Sequence, residues 1–186
     1  MIDKPKFNEN KATALAVFLL QKANKTMSYM KLIKLMYLVD RASLCSIGQF
    51  VTNDDFYSMK NGPVLSNVDD LITEPMREKT VWGKYISAPV NYNVSLKNVK
   101  TDSILGLLSE FECEIATDVY NTYGKMDKWK LVDWTHKNLP EWTNIKTGRY
   151  PINIEIILAS CGKTKEEIKE IVLFLAEQAQ TERFFA

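Results

Sequence analysis

Between residues 48 and 66 the chain reads Gly-Gln-Phe-Val-Thr-Asn-Asp-Asp-Phe-Tyr-Ser-Met-Lys-Asn-Gly-Pro-Val-Leu-Ser. No helix of the ordinary kind runs through such a segment, so it separates the helical stretches on either side of it. Gly48 is a natural helix stop, because it accepts the left-handed backbone without a Cβ penalty. Asn61-Gly62-Pro63 is a strong turn signal, and Pro63 keeps Gly62 out of the right-handed helical region. Residues 50–52 read as extended, and 54–59 as a second short extended or helical piece. The Gly-Pro corner predicts a new helix start, with a short helix over 64–72 that ends before Pro75. These residues shape backbone. They form no set of acid and base groups, which favours recognition by a shaped surface over turnover of a substrate.

The flanks are helical. Asn8 or Asn10 is placed to cap a helix over about 11–23, with Ala12, Leu15, Ala16, Leu19 and Ala23 on one face. Asn24-Lys-Thr26 interrupts it. A longer helix over about 28–47 carries Leu32, Leu35, Met36, Val39 and Ala42 as its apolar stripe, and places Lys31, Lys34 and Arg41 towards water or a partner. Residues 80–86 and 90–96 alternate apolar and polar around Ser87-Ala-Pro89, and predict the chain's β-hairpin. Thr101 or Asp102 is placed to cap a long helix to about 122, with Leu105, Leu108, Ile115 and Val119 on the core face, ended by Gly124. Asp127 caps a helix over about 128–138, stopped by Leu139-Pro140. Residues 152–160 read as helix closed by Gly162, and Thr164 with Glu167 forms a capping box for a last helix over about 165–181. The expected architecture is a single, mainly α domain of about six to seven helices with a small antiparallel β-hairpin. Residues 1–149 form the body and residues 150–186 a helical extension packed on it.

The 186 residues, 46% hydrophobic, suffice for one core. No run approaches the ~20 apolar residues that span a bilayer, and the first residues are polar and lack a signal-peptide core. A cytoplasmic protein without membrane contact is the expectation. The net charge of +1 is unevenly spread: residues 1–50 carry eight basic and three acidic groups, and residues 101–186 ten basic and fourteen acidic ones. A solvated Lys-rich helical face accounts for the first third better than a nucleic-acid patch, because no basic run is interleaved with aromatics. Cys45, Cys113 and Cys161 are far apart in apolar helical contexts and read as buried free thiols.

Candidate chemistry is thin. Gly162-Lys163-Thr164 lacks the glycine of a phosphate loop, since Ile157 stands in its place. A triad of Cys45, His136 and an acid has nothing to support it, and the only histidine leaves little room for metal schemes. His136 is expected to be hydrogen-bonded near its helix end and to touch Trp134 or Trp142. Adjacent carboxylates at Asp54-Asp55 and Asp69-Asp70 diverge, and capping explains Asp54. Glu110, Glu112 and Glu114 read as a solvated surface. No catalytic residue, metal ligand or cofactor site is expected.

The residues do carry a resemblance. Lys31-Leu-Ile-Lys-Leu-Met-Tyr37, Asp40-Arg41, Gly48, Asp55, Met59, Asn61-Gly-Pro-Val64 with Ser66, Tyr123-Gly124, Thr135-His136, Pro140 and Trp142 come in the same order as in the Panacea, or SocA-like, antitoxin domain. The chain resembles that family over about residues 10–145, with Leu65 and Asp69 departing from its pattern. The resemblance implies a mostly helical domain with a small β element and no enzyme activity. It implies a phage- or prophage-associated toxin–antitoxin role, in which the partner is a cognate protein toxin neutralised by direct binding. One branch of the family implies an alternative, an adaptor that delivers the toxin to a ClpXP-type protease. With about ten residues ahead of the first helix, no added DNA-binding domain is expected and direct DNA binding is disfavoured, although a nucleic-acid-binding phage protein stays an alternative. Homo-oligomerisation is left open. The candidate partner-binding residues are Tyr57, Met59, Lys60, Asn61, Gly62, Pro63, His136, Pro140 and Trp142.

Overall fold

A computed structural model describes residues 3–74 and 80–185; the expected stop at Pro75 lies outside them. Two helices form the centre. Helix α1 (Glu9–Lys22) starts at Asn8, whose side chain accepts from the Lys11 amide, and is buried from Ala12 to Val17 and again at Leu19 and Leu20. A helix apolar on nearly every side belongs inside a fold. Asn24 and Lys25 then take positive φ, and strand β1 (Thr26–Ser28) leads into α2 (Tyr29–Ile47), which is buried from Leu32 to Asp40. Gly48 ends α2 in the left-handed conformation at φ 71°.

The hairpin lies elsewhere than expected. Strands β2 (Phe56–Met59) and β3 (Gly62–Leu65) pair antiparallel, Phe56 opposite Leu65 and Met59 opposite Gly62, with Lys60-Asn61 as the loop. The Gly-Pro corner therefore opens a strand, and α3 (Ser66–Thr73) begins only after it. Residues 80–86 are mostly helical: Thr80 caps the short α4 (Val81–Tyr85) by accepting from the Gly83 amide. Their alternation arises because Trp82 and Tyr85 are buried against the core while Lys84 faces water. Only the second half of that predicted hairpin is a strand, β4 (Asn93–Ser95), and its partner is β1.

The expected long helix after residue 101 is two helices, α5 (Asp102–Leu105) and α6 (Glu110–Tyr123). The break is chemical: Ser109 caps α6 in a full capping box with Glu112, a stronger start than Thr101 offers. Glu112 is accordingly buried, and its carboxylate also takes the Lys11 ammonium at 2.5 Å, so it is no solvated surface group. Helix α7 (Lys128–Asn138) is capped by Asp127 and stops at Leu139. Strand β5 (Tyr150–Pro151) pairs with β2, giving the order β3-β2-β5. Helices α8 (Ile154–Ser160) and α9 (Lys165–Phe185) complete the chain, the latter behind the Thr164–Glu167 capping box. Among the described residues there are nine helices; the two beyond the expected seven are α4 and the separate α5. The molecule is mainly helical with a small antiparallel β component.

The extension touches the body at several points. Cys161 at the end of α8 is disulfide-bonded to Cys45 in the last turn of α2, with Cα atoms 5.8 Å apart, so these two cysteines are not free thiols; Cys113 is free. Their 116-residue separation hid the pairing. Leu175 and Ala179 of α9 are buried. A Cβ on Gly48 would meet the Ile171 side chain at 3.0 Å, so the same glycine that ends α2 also lets α9 lie close.

Buried carboxylates organise the segment between α2 and α3. Asp40 accepts from the amides of Val51 at 2.5 Å and Thr52 at 3.0 Å, and from the Thr52 hydroxyl. Burial pushes its pKa up to about 6 against the pull of those donors. Asp54 accepts from the amides of Asp55, Asn67 and Val68 and from the Asn67 side chain. Leu65 at the N-cap position has no side-chain acceptor, so Asp54 caps α3 from the other side of the hairpin. Asp54→Ala strands these amide groups and should cost about 2–4 kcal/mol, read as a lower urea midpoint at constant slope. Asp54→Asn keeps one acceptor and should cost less; a loss below about 0.5 kcal/mol for the alanine variant would contradict this role.

Candidate functional site

The two segments singled out by sequence lie side by side. Trp142 donates from Nε1 to the Met59 carbonyl at 3.0 Å, and the Thr143 amide donates to the Ser58 hydroxyl at 3.0 Å. His136, in the last turn of α7, stacks flat on Trp142 with ring centroids 3.8 Å apart and an interplanar angle of 8°. The expected contact with Trp142 is present. The expected hydrogen bond is not found at Nε2, which is buried without a partner among the described residues. Burial, and then the nearby Lys34 charge, lower the His136 pKa, so the stacked ring is a neutral imidazole near pH 7.

Exposure sorts the candidate residues. Lys60, Asn61 and Pro140 face water, and Tyr57, Met59, His136 and Trp142 are half-buried. The Arg149 guanidinium lies over the Tyr57 ring at 5.1 Å, a cation–π contact that draws the chain before β5 onto the hairpin. Gly62 and Pro63 are buried and hold the turn in place. Gly62 has φ 97°, and a Cβ there would sit 2.7 Å from the Thr135 hydroxyl and 3.0 Å from Lys34 Cε. Backbone conformation and space both demand glycine at this point.

Lys34, expected to face outward, is buried, 2% exposed. Its ammonium donates to the Pro63 carbonyl at 2.6 Å. Strand β3 is the edge of its sheet, where carbonyl groups need partners from outside the ladder, and Lys34 supplies one. Proline suits this edge because it has no amide to leave unpaired. Desolvation lowers the Lys34 pKa to about 7, opposed by Asp69.

The other cations expected to face outward are also engaged. Arg41 donates from Nε to Glu141 at 2.7 Å and from Nη2 to the Ser160 hydroxyl at 2.7 Å. Lys31 donates to the Gly124 carbonyl at 2.5 Å. Glu141, buried at 3% exposure, also accepts from the Tyr37 hydroxyl at 2.9 Å, and burial together with that carboxylate raises the Tyr37 pKa. Glu141, Arg149, Ser58 and Thr143 escaped sequence reading. Only the position of Glu141, between Pro140 and Trp142 in an aromatic-rich stretch, hinted at it.

Lys34 makes stability depend on pH. Well below pH 7 both the folded and the unfolded chain hold its proton; as pH rises from about 7 to 10.5 the folded chain has released it while the unfolded chain still binds it. Stability should therefore rise with pH through that window, by up to about 1.4 kcal/mol per pH unit from this group. Urea unfolding between about pH 7 and 9.5 should show the rise, and Lys34→Met should flatten it. An equal slope in both proteins would refute the buried-lysine account.

The order of these parts, from a helix carrying a buried lysine, through a Gly-Pro hairpin, to a Thr-His pair with a downstream tryptophan, can be set against known proteins. The chain matches the family described as Antitoxin SocA-like, Panacea domain, over residues 32–143. That match begins in α2, close to Lys34, and ends one residue beyond Trp142. No curated protein and no solved structure matches the chain. With more than half its length covered, from the helix that holds the hairpin to the tryptophan that clamps it, the chain belongs to the SocA-like, Panacea-domain antitoxin family.

Proposed function

We propose that the protein is a cytoplasmic antitoxin-type binding module, without catalytic activity of its own, that neutralises a cognate protein toxin by direct contact. Family membership over residues 32–143 carries this reading. Its contact surface is the face made by the β2–β3 loop and the end of α7. Lys60 and Asn61 project from the loop there, beside the partly open rings of Tyr57, His136 and Trp142. Aromatic and cationic groups on a rigid base are the usual anchors of protein interfaces. The base is rigid because Lys34, Trp142 and Thr143 fasten the hairpin. Lys4, Lys11, Lys31, Lys34 and Arg41 have internal partners, which disfavours a nucleic-acid patch on the first helices. Among the described residues no helix is long and apolar enough to cross a membrane.

The test is co-expression with the protein encoded by the neighbouring reading frame. Growth should be restored and the two proteins should co-purify; failure of both would refute the proposal. Lys60→Glu, at an exposed loop, should weaken binding at least about tenfold with unchanged folding. Loss of the toxin only when a ClpXP-type protease is present would assign the adaptor mode in place of occlusion.

A further inference from the structure

Two aromatic rings stand in the open on a face that the proposed contact surface leaves unused. Tyr92 is 69% exposed and Trp129 52% exposed. Trp129 is the second residue of α7, whereas His136 lies in the last turn of that helix. The Lys128 ammonium is within reach of both rings, 5.9 Å from the Tyr92 centroid and 5.7 Å from that of Trp129. Lys128 also borders a hollow of about 360 Å³, walled in part by Met27, Tyr120 and Met126.

Tyr92 is held out at a conformational cost. Asn91 and Tyr92 have φ of 49° and 64°, and Val90 and Asn93 exchange hydrogen bonds of 2.8 and 2.9 Å. The result is a tight turn whose second central position ordinarily belongs to glycine. The Tyr29 amide donates to the Tyr92 carbonyl at 3.0 Å, which anchors the turn to the start of α2. A tyrosine kept in the left-handed region with its ring in water is a backbone outlier of the kind that gathers at functional sites.

The cations around these rings are uncommitted. Residues 125–130 read Lys-Met-Asp-Lys-Trp-Lys, and Lys25 stands between Asn24 and Thr26, both on the rim of the hollow. Lys25, Lys125, Lys128 and Lys130 have no ion pair among the described residues. The acid among them, Asp127, caps α7 and accepts from the Trp129 amide at 2.8 Å. Asp133 follows one turn after Trp129, and the excess stays positive. Lys31 opens on the same hollow, but the Gly124 carbonyl holds it.

The geometry points to this surface as a binding site for a single-stranded polynucleotide, its bases stacked on Tyr92 and Trp129 and its phosphates met by the free lysines. Open rings interleaved with uncommitted cations suit such a strand, because every base presents a π face and every nucleotide a negative charge. An acidic peptide would use the lysines and leave the rings uncovered. The first helices supply no such patch; the fold assembles this one from the turn at 90–93 and the start of α7. It lies at the other end of α7 from His136 and gives the molecule a second partner, independent of the toxin-binding reading.

The test uses the intact protein and fluorescein-labelled oligo(dT) and oligo(U) of about 12 nucleotides at roughly 50 mM salt. Anisotropy should rise to saturation with at least one of them, and the tighter of the two assigns DNA or RNA. The logarithm of affinity should fall against the logarithm of salt with a slope of about −3, as phosphate contacts from these lysines to a single strand imply. Lys128→Glu should weaken binding at least about tenfold and Trp129→Ala at least about fivefold, the latter with an unchanged urea midpoint because its ring is exposed. No binding of either oligonucleotide overturns the inference, as does equal binding by wild type and both variants. So does an oligo-glutamate peptide of matched charge that competes as well as unlabelled oligonucleotide, because an acidic protein segment is then the occupant.

Discussion

The bond from Lys34 to the Pro63 carbonyl fixes the position of the hairpin. An edge strand exposes backbone groups that must find partners, and β3 lies against a core helix where water has little access. A lysine from the centre of α2 meets that need at the cost of desolvating its ammonium, which is why its pKa falls to about 7. A shorter side chain would not span from helix to strand, and an apolar one would leave the carbonyl unsatisfied. Gly62 is required by the same contact: a Cβ there would strike Lys34 and Thr135. Thr135 in turn directs its hydroxyl back to the Val132 carbonyl, so α7 presents a flat, satisfied surface to the hairpin.

Once the hairpin is set, the remaining polar groups take up structural duties around it. Asp40 binds the chain after Gly48, Asp54 caps α3, and Glu141 joins Tyr37 and Arg41 of α2 to the segment after α7. Each of these carboxylates is buried and each has donors, as buried charge requires. Groups held so firmly by backbone and neighbouring side chains are poorly placed to exchange protons with a substrate. The network leaves outward a stiff loop tip and partly open aromatic rings, features suited to recognition.

Much of the helical frame was legible in the residues, because helix ends are written in local chemistry. Asn8, Gly48, Asp127 and the Thr164–Glu167 box each act within a few positions of themselves, and each acts as read. The misplaced features depend on contacts distant in sequence. Residues 80–86 alternate like a strand, yet Thr80 caps a short helix whose aromatic residues pack inward. Strand β2 is only four residues long, and its partner begins with the very Gly-Pro pair that signals a turn. Periodicity alone placed Lys34 on a polar face, since nothing within α2 announces a carbonyl 29 residues away. The closeness of 57–63 to 136–142 was legible only through the family's order of motifs.

Part of the uneven charge of the sequence is met by the same kind of distant contact. The basic first third and the acidic last part read as two surfaces that could steer partners. In the folded chain Lys11 reaches Glu112 and Arg41 reaches Glu141, pairs separated by about a hundred residues. Lys31 closes on the carbonyl of Gly124, where α6 ends. Two cations of the first third thus pair with carboxylates of the last part and join α1 and α2 to the elements that wrap them, while Lys6, Lys22 and Lys25 stay exposed. A partner approaching the β2–β3 loop meets the exposed Lys60 at its tip, beside the partly open rings of Tyr57, His136 and Trp142. A single cation at the end of a fastened loop orients an approaching charge, and the rings beside it add shape, so direction comes from the hairpin's anchoring and not from the net charge of the chain.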